Sequence, residues 1–134
     1  MQDFTELKQK HRAVWASGDY DQVARGIQAV ADHVVRSAGI RAGERVLDIA
    51  CGTGNTALMA RARGAAVTAL DLTPELLTVA RKRAGQAGYD DITWQEGDAE
   101  NLPFPGFLML QPTGRDPSIR MSAYHFVRSG FLMP

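Results

Sequence analysis

Val46-Leu47-Asp48-Ile49-Ala50-Cys51-Gly52-Thr53-Gly54-Asn55 is the segment on which the fold turns. Its first half is a short apolar run, the look of a strand buried on both faces in a parallel sheet. Its second half is a glycine turn, where Gly52 and Gly54 admit positive φ and let a ligand approach the backbone closely. A helix is expected from Thr53 to Arg63, with Arg61 and Arg63 in its last turn and Gly64 as its stop. Such a helix aims its first N–H groups at whatever occupies the turn. Gly-x-Gly also occurs where a turn merely packs strand against helix, so the flanking segments have to decide.

Downstream the pattern alternates. Ala66 to Leu70 reads as a second strand, and Thr73-Pro74-Glu75 opens a helix with an N-cap residue, a proline at the first position and an acid against the dipole. That helix carries Leu76, Leu77, Val79 and Ala80, ends in Arg81-Lys82-Arg83, and stops near Gly85 or Gly88. Ile92 to Gln95 is a third strand, running into Glu96-Gly97-Asp98. Strand–helix–strand–helix–strand implies an α/β fold, a Rossmann-like, doubly wound parallel sheet. Upstream, Phe4 to Trp15 suggests a short helix, and Val23, Ile27, Val30 and Val34 mark one face of a second helix between Tyr20 and Ala38.

All three strands deliver their turns to the carboxyl edge of such a sheet, where ligands bind at the switch point. Asp71 lies 19 residues beyond Gly52, close to the roughly 20 expected of an acid that accepts from two ribose hydroxyls. It would equally serve as a cap for the helix after it. Asp98, just past the third strand, could accept from an exocyclic amine and so read adenine; alone it would pass for a solvated acidic turn. Asp48, four residues before Gly52, argues against a nicotinamide-dependent oxidoreductase. A pyrophosphate disfavours an extra carboxylate nearby, whereas a sulfonium and an ammonium group attract one.

These motifs resemble those of the S-adenosylmethionine-dependent methyltransferases, especially the branch typified by ubiquinone and menaquinone biosynthesis. Residues 46–55 are similar to that family's first motif, Leu70 to Leu77 to its second-strand segment, and Gly97-Asp98-Ala99-Glu100-Asn101-Leu102-Pro103-Phe104-Pro105 to its third. The resemblance implies S-adenosylmethionine as cofactor, with Asp48 and the Gly52 loop on the methionine portion, Asp71 on the ribose, and Asp98 with Ala99 on the adenine. Ala50, Gly54 and Leu72 join the expected binding residues. Trp15 to Tyr20 resembles the family's N-terminal lid, with Tyr20 a further contact. The implied reaction is methyl transfer to a small-molecule acceptor, and no catalytic residue stands out.

The whole chain has 134 residues, 15 Lys+Arg against 15 Asp+Glu, and one cysteine. Zero net charge lacks the footprint of a general nucleic-acid binder, and a lone Cys51 cannot form an internal disulfide. Cys51 reads as a small residue that fits its loop. His11, His33 and His125 show no metal-ligand spacing, so no metal is expected. No apolar run approaches the roughly 20 residues of a membrane span, and the N-terminus lacks a signal peptide's apolar stretch, which suggests a cytoplasmic protein.

The organisation expected within one domain is a helical lid at 1–44, a cofactor-binding core at 45–105 and an atypical tail at 106–134. The tail carries three arginines (Arg115, Arg120, Arg128) and one acid (Asp116) and departs from the family pattern. It has room for about one strand–helix unit of roughly 30 residues, against four further strands in the family. The sheet is therefore expected to be truncated after the third strand, as if by a frameshift or truncation. That would leave strand 1, central and apolar, as an open edge inviting pairing. Part of the tail, or a second copy in a homodimer, is expected to cover it. The functional alternatives are a chain inactive at this length, a non-catalytic S-adenosylmethionine-binding or assembly module, and a nicotinamide-type Rossmann fragment.

Overall fold

A computed structural model describes residues 5–18, 23, 26, 28–102 and 119–121, the last as backbone. Four helices and four strands lie among them: α1 (Thr5–Ser17), α2 (Gln28–Ser37), β1 (Arg45–Ile49), α3 (Asn55–Ala62), β2 (Ala66–Asp71), α4 (Pro74–Gln86), β3 (Thr93–Glu96) and β4 (Ile119–Met121). The sheet is parallel throughout, in the order β3-β2-β1-β4. Along β1–β2, Asp48 stands opposite Ala69; along β2–β3, Asp71 stands opposite Glu96.

Steps from β1 to β2 to β3 advance in one direction, so right-handed crossovers put α3 and α4 on the same face. β4 lies on the other side of β1. The order therefore reverses at β1, and the loop leaving that strand opens at the switch point.

Past its third strand the sheet gains one short strand, and part of the tail covers the β1 edge as expected. β1 is flanked on its outer side by β4, with Arg45, Val46 and Leu47 opposite Ile119, Arg120 and Met121. The physical reason is that a buried strand cannot leave one side of its N–H and C=O groups without partners. The tail supplies the cover, so this edge gives no reason to invoke a homodimer.

One core unites the described parts. Val46, Val67 and Ala69 from the strands meet Ala57 and Ala60 of α3 and Leu77 and Ala84 of α4, together with Val35 and Ile40. Small residues on α3 let it sit close to both the sheet and α2. α2 buries Ala31 and Val35, whereas Val30 is 45% exposed and Val23 57%. The line of valines is thus not the core face; that face is rotated by one residue, because alanine lets α2 approach α3 more closely than valine does. α1 buries no residue, and Leu7 and Val14 stand exposed on it.

Other boundaries also shift. α3 starts at Asn55 because Gly54, at φ 89°, occupies the cap position in the left-handed region. Thr73 precedes Pro74 in extended conformation but makes no side-chain capping bond. Among the described residues no helix is long and apolar enough to cross a membrane.

Candidate functional site

The loop between β1 and α3 is built around four successive constraints. Cys51 N–H donates to the Leu70 carbonyl at 3.0 Å, which ties the loop to the end of β2. Gly52 N–H donates to Asp71 Oδ2 at 2.8 Å. Thr53, 1% exposed, accepts from Arg83 Nη1 through both its carbonyl (2.8 Å) and its hydroxyl (3.0 Å). Gly54 packs so tightly that an added Cβ would fall 2.8 Å from the Trp94 ring and 3.3 Å from Ala80 Cβ. The glycine at 54 is thus required by side-chain packing beneath the loop as well as by its φ. Ala50 heads the turn at φ 58°, an uncommon conformation for a residue with a Cβ.

Asp71 is 8% exposed and has a donor on each oxygen: Oδ1 accepts Thr73 N–H at 2.8 Å while Oδ2 accepts Gly52 N–H. The turn before α4 and the glycine loop are therefore held by one carboxylate's two oxygens. Asp48 is 4% exposed on β1. Burial first, and then the negative charges of Asp48 and Asp71, push the Cys51 thiol far up, so it is a packing group and no nucleophile.

Past β3, Gly97 N–H donates to the Asp71 carbonyl at 3.0 Å, and Leu70 Cδ1 would sit 2.6 Å from a Cβ there. The turn that follows is thereby pinned beside β2. Asp98 Oδ1 accepts Glu100 N–H at 2.9 Å and Oδ2 meets Lys8 Nζ at 2.5 Å. Lys8 also reaches Glu100 Oε2 at 2.5 Å, and Arg12 pairs with Glu96 at 3.2 Å. The Lys8 ammonium holds the Asp98 carboxyl below the usual carboxylate range.

Asp48, Ala50, Gly52, Gly54, Asp71, Leu72, Asp98 and Ala99 thus belong to the ends of β1, β2 and β3 or to the turns leaving them. Tyr20 lies outside the described residues. Sequence reasoning missed Thr53, Arg83, Trp94 and Lys8. Arg83 reads as a dipole partner at a helix end, and only the fold shows it reaching back to Thr53. Lys8 was findable in principle: Lys8 and Arg12 are a turn apart on α1, and Glu96, Asp98 and Glu100 alternate along one segment. Among the described residues no grouping of His, Cys, Asp or Glu could hold a metal ion.

A reversed parallel sheet with acids at the ends of its strands and a glycine loop at the switch point defines the class of Rossmann-like proteins that bind nucleoside-containing ligands. Residues 46–109 match the family described as methyltransferase domain. An uncharacterised protein of Mycobacterium tuberculosis is 50% identical over 95 residues, 70% of this chain and 34% of that protein. The malonyl-[acyl-carrier protein] O-methyltransferase of Serratia marcescens is 40% identical over 94 residues, 70% of this chain and 35% of that enzyme. Among solved structures, TrmN from Thermus thermophilus superposes with a TM-score of 0.54 at 35% identity, covering 57% of this chain and 24% of that one. These matches support the S-adenosylmethionine-dependent methyltransferase family for residues 46–109. The chain spans about a third of the length of these curated relatives.

Proposed function

We propose that the chain binds S-adenosylmethionine along the carboxyl edge of its sheet, and that the protein transfers the methyl group to a small-molecule acceptor. The observation that carries this reading is the pair of buried carboxylates, Asp48 and Asp71, flanking a glycine loop that Asp71 itself holds. The ligand's methionine end carries a sulfonium and an ammonium, which buried acids attract and which a pyrophosphate site would have no use for. After accepting one N–H, each oxygen of Asp71 retains a lone pair, enough to take two ribose hydroxyls. Asp98 can accept the adenine amine, with Ala99 and Leu72 beside the base. Zero net charge favours a small acceptor over a nucleic acid.

The cofactor supplies an activated methyl group on sulfur. The chain's own task is alignment and exclusion of water. Asp71 and Arg83 hold the loop, Trp94 supports it from below, and the strand ends set the spacing between the ends of the ligand. Binding without turnover, as in a module completed by further segments, is the alternative reading.

Calorimetric titration with S-adenosylmethionine tests the proposal, with Asp71→Ala as control. That substitution removes hydrogen bonds to a charged group worth about 1.5–3 kcal/mol each, so affinity should fall at least tenfold. Because Asp71 also ties the loop, urea unfolding of the unliganded variant must accompany the titration. No binding by folded wild-type chain would refute the cofactor reading. Binding with no methylation across a panel of small acceptors would leave the module.

A further inference from the structure

We infer that Lys8 is an affinity-determining residue of the cofactor site, because its ammonium pairs with Asp98 and competes there with the adenine amine. The inference rests on the cofactor reading above and adds to it a competitor supplied by the chain itself. Both Asp98 oxygens already have donors, Oδ1 the Glu100 N–H and Oδ2 the Lys8 ammonium. Each oxygen keeps a further lone pair, but an ammonium is a stronger partner for a carboxylate than a neutral amine, so Lys8 on Oδ2 weakens the bond the adenine amine can make there.

Lys8 is placed to leave cheaply. Its Nζ is equally close to Glu100, at 2.5 Å, so giving up Asp98 exchanges a bridge between two acids for a single pair. α1, which carries it, buries no residue fully and exposes Leu7 and Val14, so little apolar packing opposes its displacement. Ion pairs tie it to the strand ends: Lys8 to Asp98 and Glu100, and Arg12 to Glu96. α1 is thus a cover fastened in part by charge, and one of those fastenings meets a candidate binding group.

The test is the affinity of the full chain for S-adenosylmethionine and S-adenosylhomocysteine in wild type, Lys8→Met and Arg12→Met, at low and moderate salt. Partly exposed ion pairs are worth up to about 1 kcal/mol, so Lys8→Met should tighten binding by about two- to fivefold. Raising salt should tighten wild-type binding towards that of Lys8→Met and leave the variant unmoved. Arg12→Met, which loosens α1 without freeing Asp98, should change little. Binding by Lys8→Met where wild type shows none would also support the inference. Weaker or unchanged binding in Lys8→Met overturns it, as does an equal gain in Arg12→Met, which would assign the effect to helix docking. If no form binds either ligand, the cofactor reading fails and takes this inference with it. Urea unfolding of both variants confirms an intact core.

Discussion

At the scale of single residues, Ala50 is the position where the loop stores strain. A non-glycine residue at φ 58° costs of order 1 kcal/mol or more, offset in part by the entropy that glycine would lose on folding. Ala50→Gly should therefore leave stability unchanged or raise it by up to about 1 kcal/mol in urea unfolding. Gly54→Ala should do the opposite, losing about 2–3 kcal/mol, since it combines φ 89° with a Cβ 2.8 Å from the Trp94 ring. Cys51 sets a limit at alkaline pH. Its thiol is pushed up in the folded chain from an ordinary value of 9.0. The unfolded chain therefore loses this proton first, and stability should fall as pH rises above about 9, by up to ~1.4 kcal/mol per pH unit. Cys51→Ala should remove that slope. Asp48, Asp71 and the glycines were legible in the sequence because their spacing follows from the strand–turn–helix geometry. Arg83 and Trp94 were not: their partners, Thr53 and Gly54, lie about 30 and 40 residues away, and no local pattern encodes such contacts.

Among elements, the two N-terminal helices contrast. α2 is part of the body, contributing Val35 to the shared core, while α1 is attached at the rim. Reading both as one lid region followed from their common position before β1; packing separates them. The valine line on α2 misled because periodicity finds an apolar face without telling which of two adjacent faces the neighbour's alanines can accept. α1 makes an acid-sensitive element. Lys8, with the Glu100 N–H, depresses the pKa of Asp98, so the contribution of this pair is complete above the unfolded value of 3.8 and is lost as pH falls through the lower folded value. Hydrogen exchange should show α1 losing protection below about pH 4 before β1 and β2 do. Lys8→Met should lack that selective loss.

For the molecule as a whole, the alternation of strand and helix made three strands readable, and the need to cover β1 made a fourth partner predictable. The identity of that partner as residues 119–121 was not, because a three-residue strand carries too little pattern to stand out from its surroundings. Arg120 is opposite Val46 in the ladder, and a proline there would remove the backbone donor and disrupt the pairing. Arg120→Pro should open the β1 edge and drive self-association, visible as a concentration-dependent rise in sedimentation coefficient; a variant that stays monomeric and equally stable would show that β4 matters little. The same ladder has a kinetic side. β1 meets β2, and β2 meets β3, across separations of about 20–25 residues, whereas β1 meets β4 across about 75. Loop closure grows costlier with separation and long-range strand pairing is slow. A nascent chain should therefore assemble β1, β2 and β3 first and pass through an interval in which its most apolar strand is half-dressed. During that interval its yield depends on how crowded it is by other copies, so refolding efficiency should decline with protein concentration.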